Sequence, residues 1–186
     1  NNFYVICAHK IVPPALKALA DSPRSKISGF ILPGHVSTII GAKPYGFLAS
    51  RHKTPCVVAG FESVDILQAI AMLLNQILHK RPKVEIQYKR VVTESGNKVA
   101  QKLISKVFKT IDAKWRGIGL IPKSGLVLKT EFTRFNFEKK HKLSVSRAKK
   151  TFCRCGDVLQ GIIEPHRCKC CKRAARKSGW PVHGFF

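Results

Sequence analysis

The chain has 186 residues, of which 45% are hydrophobic, and this size predicts one domain, or one domain with a small appendage, around a buried core. It contains no run of 18 or more apolar residues, so the sequence predicts no membrane-spanning helix. The net charge of +24 comes from 34 basic and 10 acidic residues, a balance typical of proteins that bind polyanions. Because the basic residues are scattered and no aromatic residues alternate with them, a solvated basic surface is favoured over nucleic-acid binding.

The beginning of the chain predicts a fragment of a longer protein. Asn1 stands where an initiator methionine is expected, immediately before the first predicted strand. The apolar run there is too short for a signal peptide and lacks a basic leader. We therefore expect a cytoplasmic protein that continues upstream of Asn1.

Short apolar runs alternate with helical patterns through the first half of the chain. The predicted strands and helices follow one another as strand 3–8, helix 13–21, strand 27–32, helix 37–40, strand 56–59 and helix 63–79. Fully apolar strand runs are typical of a parallel sheet that is buried on both sides. Pro33 and Gly34 predict a tight turn after the second strand, and Gly41 ends the helix that follows.

The second half of the chain continues the alternation with weaker patterns. It predicts an exposed or edge strand at 84–92, an amphipathic helix at 97–111, an extended run at 115–121 and a short helix at 131–137. The fold class is therefore α/β, a mostly parallel sheet with helices on both faces, followed by a small cysteine-rich tail. We place the domain limits at residues 1–138 for the α/β domain, 139–152 for a basic linker and 153–186 for the tail.

Polar side chains follow three of the predicted strands. His9 comes after the first, His35 after the second and Glu62 after the third. Right-handed crossovers bring such loops to one edge of the sheet, where two histidines and a carboxylate could bind a metal or transfer protons. The hydroxyls of Ser37 and Thr38 lie beyond the end of the second predicted strand, as His35 does. The pattern alone favours ordinary loop residues, because a fold does not define a function.

The cysteines are distributed unevenly. Cys7 and Cys56 lie in apolar runs and are predicted to be buried, inert thiols. The last 34 residues hold the other five, which are Cys153, Cys155, Cys168, Cys170 and Cys171. A C-x-C pair followed after 12 residues by C-x-C-C predicts a metal site, since thiolates bind both iron–sulfur clusters and zinc. The spacing leaves both metals open.

Four stretches of the sequence resemble the HypD family of hydrogenase maturation proteins. One is Pro-Gly-His-Val-Ser-Thr-Ile-Ile-Gly at 33–41, and the others are residues 8–15, residues 58–67 and the Trp-Arg-Gly stretch at 115–126. Cys153-Arg-Cys155-Gly is similar to the start of the family's cluster-binding tail. The resemblance runs in order from Asn1 to about Cys168.

The resemblance implies a function and a set of site residues. Proteins of this family act as a maturation scaffold and redox factor, rather than as a turnover enzyme, where the Fe(CN)2CO group of [NiFe] hydrogenase is assembled. They work with a HypC-type chaperone and HypE and carry a [4Fe-4S] cluster. The resemblance places His35 and Glu62 at an interdomain cleft, with Ser37 and Thr38 as hydrogen-bond donors. It makes Cys153, Cys155 and Cys168 cluster ligands, of which Cys155 is the least direct match.

The sequence also departs from the family pattern. The Cys-Gly-Thr-His and Gly-Pro-Gly-Cys-Pro-x-Cys motifs of the family's preceding domain, which are thought to hold the iron, do not occur. After Cys168 the family's further cysteines are missing, yet codons for residues 170–177 and 177–186 can encode them when each stretch is read in a different shifted frame. We therefore expect a frameshifted tail in which Cys170 and Cys171 are accidental and the cluster is weak or absent. An inactive remnant of the family and a basic nucleic-acid-binding protein with a zinc knuckle are the alternative interpretations.

Overall fold

The structure of the protein is a computed structural model that describes residues 2–141 and 153–178, with side chains up to residue 173 in the last helix. Its contacts divide the chain into two units, one of residues 27–106 and one of residues 1–26 with 107–186. The predicted limit at residue 138 rests on a different criterion, and most of the predicted linker lies outside the described residues. The predicted domain limits therefore stay a prediction.

The described residues form eight α-helices and five strands. The helices are α1 (Val12–Ala20), α2 (Gly34–Ile40), α3 (Gly46–Ser50), α4 (Ser63–Leu78), α5 (Lys98–Val107), α6 (Phe137–Lys140), α7 (Cys155–Leu159) and α8 (Lys169–Ser178). The strands are β1 (Phe30–Pro33), β2 (Cys56–Ala59), β3 (Val84–Ile86), β4 (Phe108–Trp115) and β5 (Gly119–Leu128). Among these helices, none combines the length and the apolar character that crossing a bilayer requires.

A parallel three-stranded sheet is the centre of the unit formed by residues 27–106. Its strand order is β1-β2-β3, with Phe30 paired to Cys56 and Cys56 paired to Val84. The middle strand β2 is buried at all four positions, as its continuous apolar sequence predicts. Ala69 of α4 packs on β2, so the sheet is flanked by helices and the predicted α/β class is confirmed.

Gln76 of α4 joins the helix to the edge of this sheet. Its amide nitrogen donates to the carbonyl oxygen of Cys56 at 3.3 Å and to the Glu85 carboxylate at 2.7 Å. Its side-chain oxygen accepts from the backbone N–H of Lys83 at 3.0 Å. A buried amide whose groups are bonded in this way stabilises the unit rather than costing free energy, and here it holds β3 beside β2.

Helix α4 buries only a narrow face, although its sequence is apolar nearly all round. Only Asp65, Ala69 and Gln76 are buried among the residues of this helix. Several apolar side chains that share its outer face are exposed by more than half, namely Val64, Leu67, Leu74 and Leu78. The small three-stranded sheet is too narrow to cover the whole circumference of a helix that is apolar nearly all round.

An antiparallel hairpin is the centre of the other unit. Strand β4 pairs with β5 from Phe108↔Leu128 to Trp115↔Gly119, with an irregularity between Ile111 and Ala113. The indole N–H of Trp115 donates to the hydroxyl of Ser124 at 2.8 Å. Ser124 is fully buried, so this bond fixes the hairpin from inside the unit.

The structure corrects the predicted first strand. Residues 3–8 form no strand of the parallel sheet, and within the described residues the start of the chain makes only isolated bridges, from Val5 to Asn136 and from Lys10 to Gly125. The apolar run was read as a buried strand, but Phe3 is 63% exposed. Pairing with a distant segment decided its place, which propensity cannot predict.

The elements after residue 97 also differ from their prediction. Helix α5 ends at Val107, and residues 108–111 belong to β4. The hairpin turn between β4 and β5 falls within the predicted extended run 115–121. Phe108 pairs with Leu128, and Ile111 pairs with Gly125, across the hairpin. This cross-strand pairing outweighs the helical spacing of the sequence, because Phe108 and Ile111 have bulky side chains that suit a pleated strand.

The core of the sheet gives a direct test of this packing. Leu32 is 1% exposed, whereas Leu67 is 67% exposed in the same unit. We expect Leu32→Ala to lower the free energy of unfolding by roughly 3 kcal/mol, because it removes buried methyl groups and leaves a cavity. The matched Leu67→Ala change should alter it by less than about 0.5 kcal/mol. Urea unfolding of both variants measures the difference, and equal losses would show that Leu32 is not in the core.

Candidate functional site

The carboxyl ends of β1 and β2 form one edge of the parallel sheet. Strand β1 ends at Pro33, and β2 ends at Ala59 directly before Gly60 and Phe61. A pocket of about 180 Å³ opens between them. Its lining is almost entirely apolar and consists of Ile31, Leu32, Pro33, Ala59, Gly60, Phe61 and Ile66. In open α/β sheets ligands bind at this end of the strands.

His35 and Glu62 lie at this edge, as predicted, but no hydrogen bond joins their side chains among the described residues. The His35 ring is exposed, with its centroid 4.4 Å from that of Phe61. Glu62 is 78% exposed at its side chain, and its carboxylate lies 3.3 Å from the guanidinium of Arg90. The His35 and Glu62 side chains are therefore not a bonded pair: the His35 ring contacts Phe61, and Phe61 directly precedes Glu62 in the chain. Whether either has a role in chemistry stays a prediction.

Ser37 and Thr38 use their hydroxyls inside helix α2. The buried Ser37 hydroxyl donates to the carbonyl oxygen of Pro33 at 2.7 Å and lies 3.3 Å from the Tyr45 hydroxyl. Burial raises the pKa of that Tyr45 hydroxyl. Thr38 donates to the carbonyl oxygen of His35 at 2.7 Å. Such bonds to preceding carbonyls satisfy the helix itself, and a ligand role for either hydroxyl stays a prediction.

His9 does not join this edge as a strand end. It belongs to the unit that contains the hairpin, and its ring centroid lies 5.1 Å from that of Phe108. The predicted strand before it is absent. The expectation that three strand ends of one sheet present His9, His35 and Glu62 is therefore wrong for His9.

An ion pair between the buried Asp65 and the half-exposed Arg90, which the sequence analysis missed, supports the edge of the sheet. Arg90 donates two hydrogen bonds to the carboxylate of Asp65, at 2.9 and 2.7 Å, and the Gln87 amide donates a third at 2.9 Å. The Arg90 bonds and then the Gln87 bond lower the pKa of Asp65 to about 2. A Cβ on Gly60 would lie 1.9 Å from the same carboxylate, so the strand end needs glycine there. An aspartate inside an apolar helix was the available signal.

The cysteines of the tail meet in a second candidate site. Cys153, Cys155 and Cys168 have sulfur atoms that all lie within 4.8 Å of one another. The sulfur of Cys155 is 2.6 Å from that of Cys153 and 3.9 Å from that of Cys168. Cys168 is fully buried and the other two are half-buried. The predicted cysteine-rich cluster is confirmed, and its three predicted ligands are brought together.

Two glycines position the C-x-C pair. Gly117, in the hairpin turn, has φ of +83°, and a Cβ on Gly156 would lie only 1.7 Å from its carbonyl oxygen. Two backbones can approach this closely only without side chains between them. The hairpin turn therefore sets the start of α7, where Cys155 is the first residue. The Asp157 carboxylate also forms an ion pair at 2.9 Å with the guanidinium of Arg154, and this pair holds the first turn of α7.

The local hydrogen bonds favour thiolate at two of the cysteines. Burial alone raises the pKa of Cys168, but backbone N–H groups of Cys171, Arg154 and Cys170 outweigh it and hold that pKa at about 6. Hydrogen bonding with Cys155 lowers the pKa of Cys153 and raises the pKa of Cys155. Thiolates, not thiols, are metal ligands, so these shifts favour metal binding at Cys153 and Cys168, whereas Cys155 must lose its proton to the metal.

The spacing of the sulfur atoms bears on which metal fits. A single tetrahedral ion with metal–sulfur bonds near 2.3 Å separates its sulfurs by about 3.8 Å. The 3.9 Å separation of Cys155 from Cys168 matches this distance. A [4Fe-4S] cluster spreads its thiolates farther apart because each binds a different iron, so the side chains would rotate outward to hold it. The donor set itself suits either metal.

Comparison with known proteins gives the family. The HypD family model, described as the hydrogenase formation hypA family, matches residues 1–179. The chain belongs to the HypD family. It is 42% identical over 170 residues to the hydrogenase maturation factor HypD of Escherichia coli strain K12, covering 90% of this chain and 46% of that protein. It is 41% identical over 177 residues to the hydrogenase maturation factor HypD2 of Bradyrhizobium diazoefficiens, covering 91% and 47%.

The likeness to HypD proteins extends to archaea. A putative hydrogenase expression/formation protein of Methanocaldococcus jannaschii is 38% identical over 169 residues, with 90% of this chain and 47% of that protein covered. The chain thus spans about half the length of the curated relatives it matches. The expected resemblance to the HypD family is confirmed.

The ion pair at the sheet edge predicts a pH dependence. Asp65 has an ordinary pKa of 3.8 and a folded pKa of about 2, so the unfolded chain binds more protons between these values. The stability that the pair provides is therefore full above about pH 4 and is lost as the pH falls toward 2. Asp65→Asn should destabilise the unit at pH 7, and its difference from wild type should shrink below pH 4.

Denaturant unfolding at a series of pH values measures this effect. Glu94→Gln is the matched control, because it removes the charge of an exposed carboxylate in the same unit. A constant difference between wild type and Asp65→Asn from pH 7 to pH 2 would contradict the assignment of the ion pair.

Proposed function

We propose that this chain is part of a hydrogenase maturation factor that scaffolds assembly and transfer of the Fe(CN)2CO group of [NiFe] hydrogenase. The observation that carries the proposal is the match of a HypD family model to residues 1–179, in a chain whose tail gathers thiols. The chain spans about half of its curated relatives. It would therefore supply half of the scaffold, and a further domain would hold the iron.

His35 and Glu62 are the residues that we assign to the open edge of this scaffold. Both are exposed beside the pocket at the carboxyl ends of β1 and β2. A neutral imidazole can accept or donate a proton, and a carboxylate can orient a cationic or hydrogen-bonding group. Ser37 and Thr38 would contribute hydrogen bonds only after breaking their present bonds to helix carbonyls. The apolar pocket would exclude water from a group held there.

The thiols of the tail form the proposed metal centre. Cys153, Cys155 and Cys168 would hold a [4Fe-4S] cluster, which supplies electrons to the maturation reaction when bound. The short sulfur–sulfur distances and the thiolate character of Cys168 support metal binding in general. HypC-type chaperone and HypE are the proposed partners. The proposed compartment is the cytoplasm.

A zinc-holding tail is the second candidate, because one observation favours it. The 3.9 Å distance between the sulfurs of Cys155 and Cys168 suits a single tetrahedral ion better than a cubane. In that case the tail is a structural element, and only the α/β portion takes part in maturation. The net charge of +24 makes nucleic-acid binding by such a knuckle a measurable alternative.

Metal analysis of the anaerobically purified chain separates these candidates. We expect about four iron ions and four sulfides per chain, with a broad absorption band of sulfide-to-iron charge transfer. Zinc near one per chain would support the second candidate. Cys153→Ser should lower the metal content of either centre, whereas Cys7→Ser should leave it unchanged because Cys7 lies outside the cluster. A chain without any metal would contradict both and support an inactive remnant.

A chimaera tests the maturation role. This chain replaces the matching part of Escherichia coli HypD in cells that lack their own HypD, and [NiFe] hydrogenase activity is measured. We expect activity to be restored, and we expect His35→Ala in the chimaera to lower it by at least about tenfold through loss of a positioned proton donor or acceptor. His79→Ala, an exposed histidine of the same unit, is the control. An expressed, folded chimaera without activity would contradict the proposal.

A further inference from the structure

We propose that Cys171, in the first turn of α8, is a fourth thiolate ligand of the metal centre in the tail. It would join Cys153, Cys155 and Cys168, and it would leave Cys170 as a cysteine that does not bind the metal. The inference rests on the proposed metal centre, but it names a ligand that neither the family resemblance nor the three-thiol group contains. It also opposes the expectation that Cys171 is an accident of a shifted reading frame.

The sulfur atom of Cys155 is the centre of the arrangement. It lies 2.6 Å from the sulfur of Cys153, 3.9 Å from that of Cys168 and 3.9 Å from that of Cys171. The two 3.9 Å distances match the separation of about 3.8 Å expected for sulfurs around one tetrahedral ion. Cys171 is therefore as close to Cys155 as the predicted ligand Cys168 is.

Helix α8 explains why Cys171 faces the cluster. Cys168 directly precedes this helix, and the backbone N–H of Lys172 donates to its carbonyl oxygen at 2.9 Å. Residues three apart in a helical turn lie on one face, so Cys171 follows Cys168 on the side of the cluster.

Cys170 has a weaker case. The sulfur of Cys171 lies 3.9 Å from that of Cys155, and no sulfur–sulfur hydrogen bond of Cys170 is found among the described residues. It is turned by about 100° around the helix from Cys171. Cys171, whose sulfur contacts that of Cys155, is therefore better placed than Cys170 to join the metal centre.

The surrounding charge favours a centre with four thiolates. Four thiolates around Zn²⁺, or around a [4Fe-4S] core, give a net negative group. Basic side chains flank the ligands in sequence, and they are Arg154, Lys169, Lys172 and Arg173. All are exposed, so they can approach the group without a desolvation cost of their own. Three thiolates would leave one metal position open to water, whereas four close it.

The experiment uses the full chain, purified anaerobically, with Cys171→Ser and Cys170→Ser as matched variants and Cys168→Ser as the reference for a lost ligand. Iron, sulfide and zinc are measured in each. Each metal-free chain is then titrated with Co²⁺, whose visible spectrum distinguishes four sulfur ligands from three. We expect Cys171→Ser to lower the as-isolated metal content, to shift the Co²⁺ bands to shorter wavelength and to weaken Co²⁺ binding at least about tenfold. Cys170→Ser should behave as wild type.

Other outcomes overturn the inference in distinguishable ways. If Cys171→Ser matches wild type while Cys168→Ser loses metal, Cys171 is not a ligand and the proposed metal centre stands. If Cys170→Ser loses the fourth sulfur instead, the ligand is Cys170. If wild type binds neither iron, zinc nor Co²⁺, the inference and the metal part of the proposed function both fail. Far-ultraviolet circular dichroism of every variant establishes that the compared proteins have the same helix content.

Discussion

The close contact of two backbones at Gly117 and Gly156 is the constraint on which the tail depends. The hairpin turn and the first turn of α7 touch without any side chain between them, since a Cβ on Gly156 would lie 1.7 Å from the Gly117 carbonyl oxygen. This contact sets where α7 begins, and Cys155 is its first residue. The position of the hairpin therefore determines the position of the C-x-C pair. A metal centre gains from such support, because its ligands are placed before the metal arrives.

The other unit depends on Asp65 and Gln76, two buried polar side chains that are hydrogen-bonded. Asp65 with Arg90, and Gln76 with the strands around it, connect one long helix to the sheet. Both pairings join α4 to segments that lie beyond Leu78 in the chain, so they hold the sheet edge as well as the helix. His35 and Glu62 are exposed above strand ends that these bonds hold in place. This division between rigid support and open side chains is typical of ligand sites at the ends of parallel strands.

The local signals in the sequence predicted part of this structure. Strand β2 and helix α4 were predicted within a residue or two, because a continuous apolar run and helical spacing are local properties. The place of residues 3–8 could not be predicted in this way, since Val5 pairs with Asn136 far along the chain. The three predicted cysteine ligands came from spacing and resemblance, whereas the Gly117 contact and the role of Asp65 depend on distant segments. A contact between segments that are distant in the chain leaves no periodic pattern in the sequence from which it could be predicted.

The central claim is that the tail holds a metal through cysteine sulfur. X-ray absorption at the edge of the metal that copurifies with the anaerobic full chain tests it most directly. The account predicts a first shell of about four sulfur atoms per metal ion, whether the metal is iron in a cluster or zinc. Scattering from nearby iron distinguishes the cluster from a single ion. A first shell of nitrogen and oxygen atoms would contradict the account, because it would place the metal away from the cysteines.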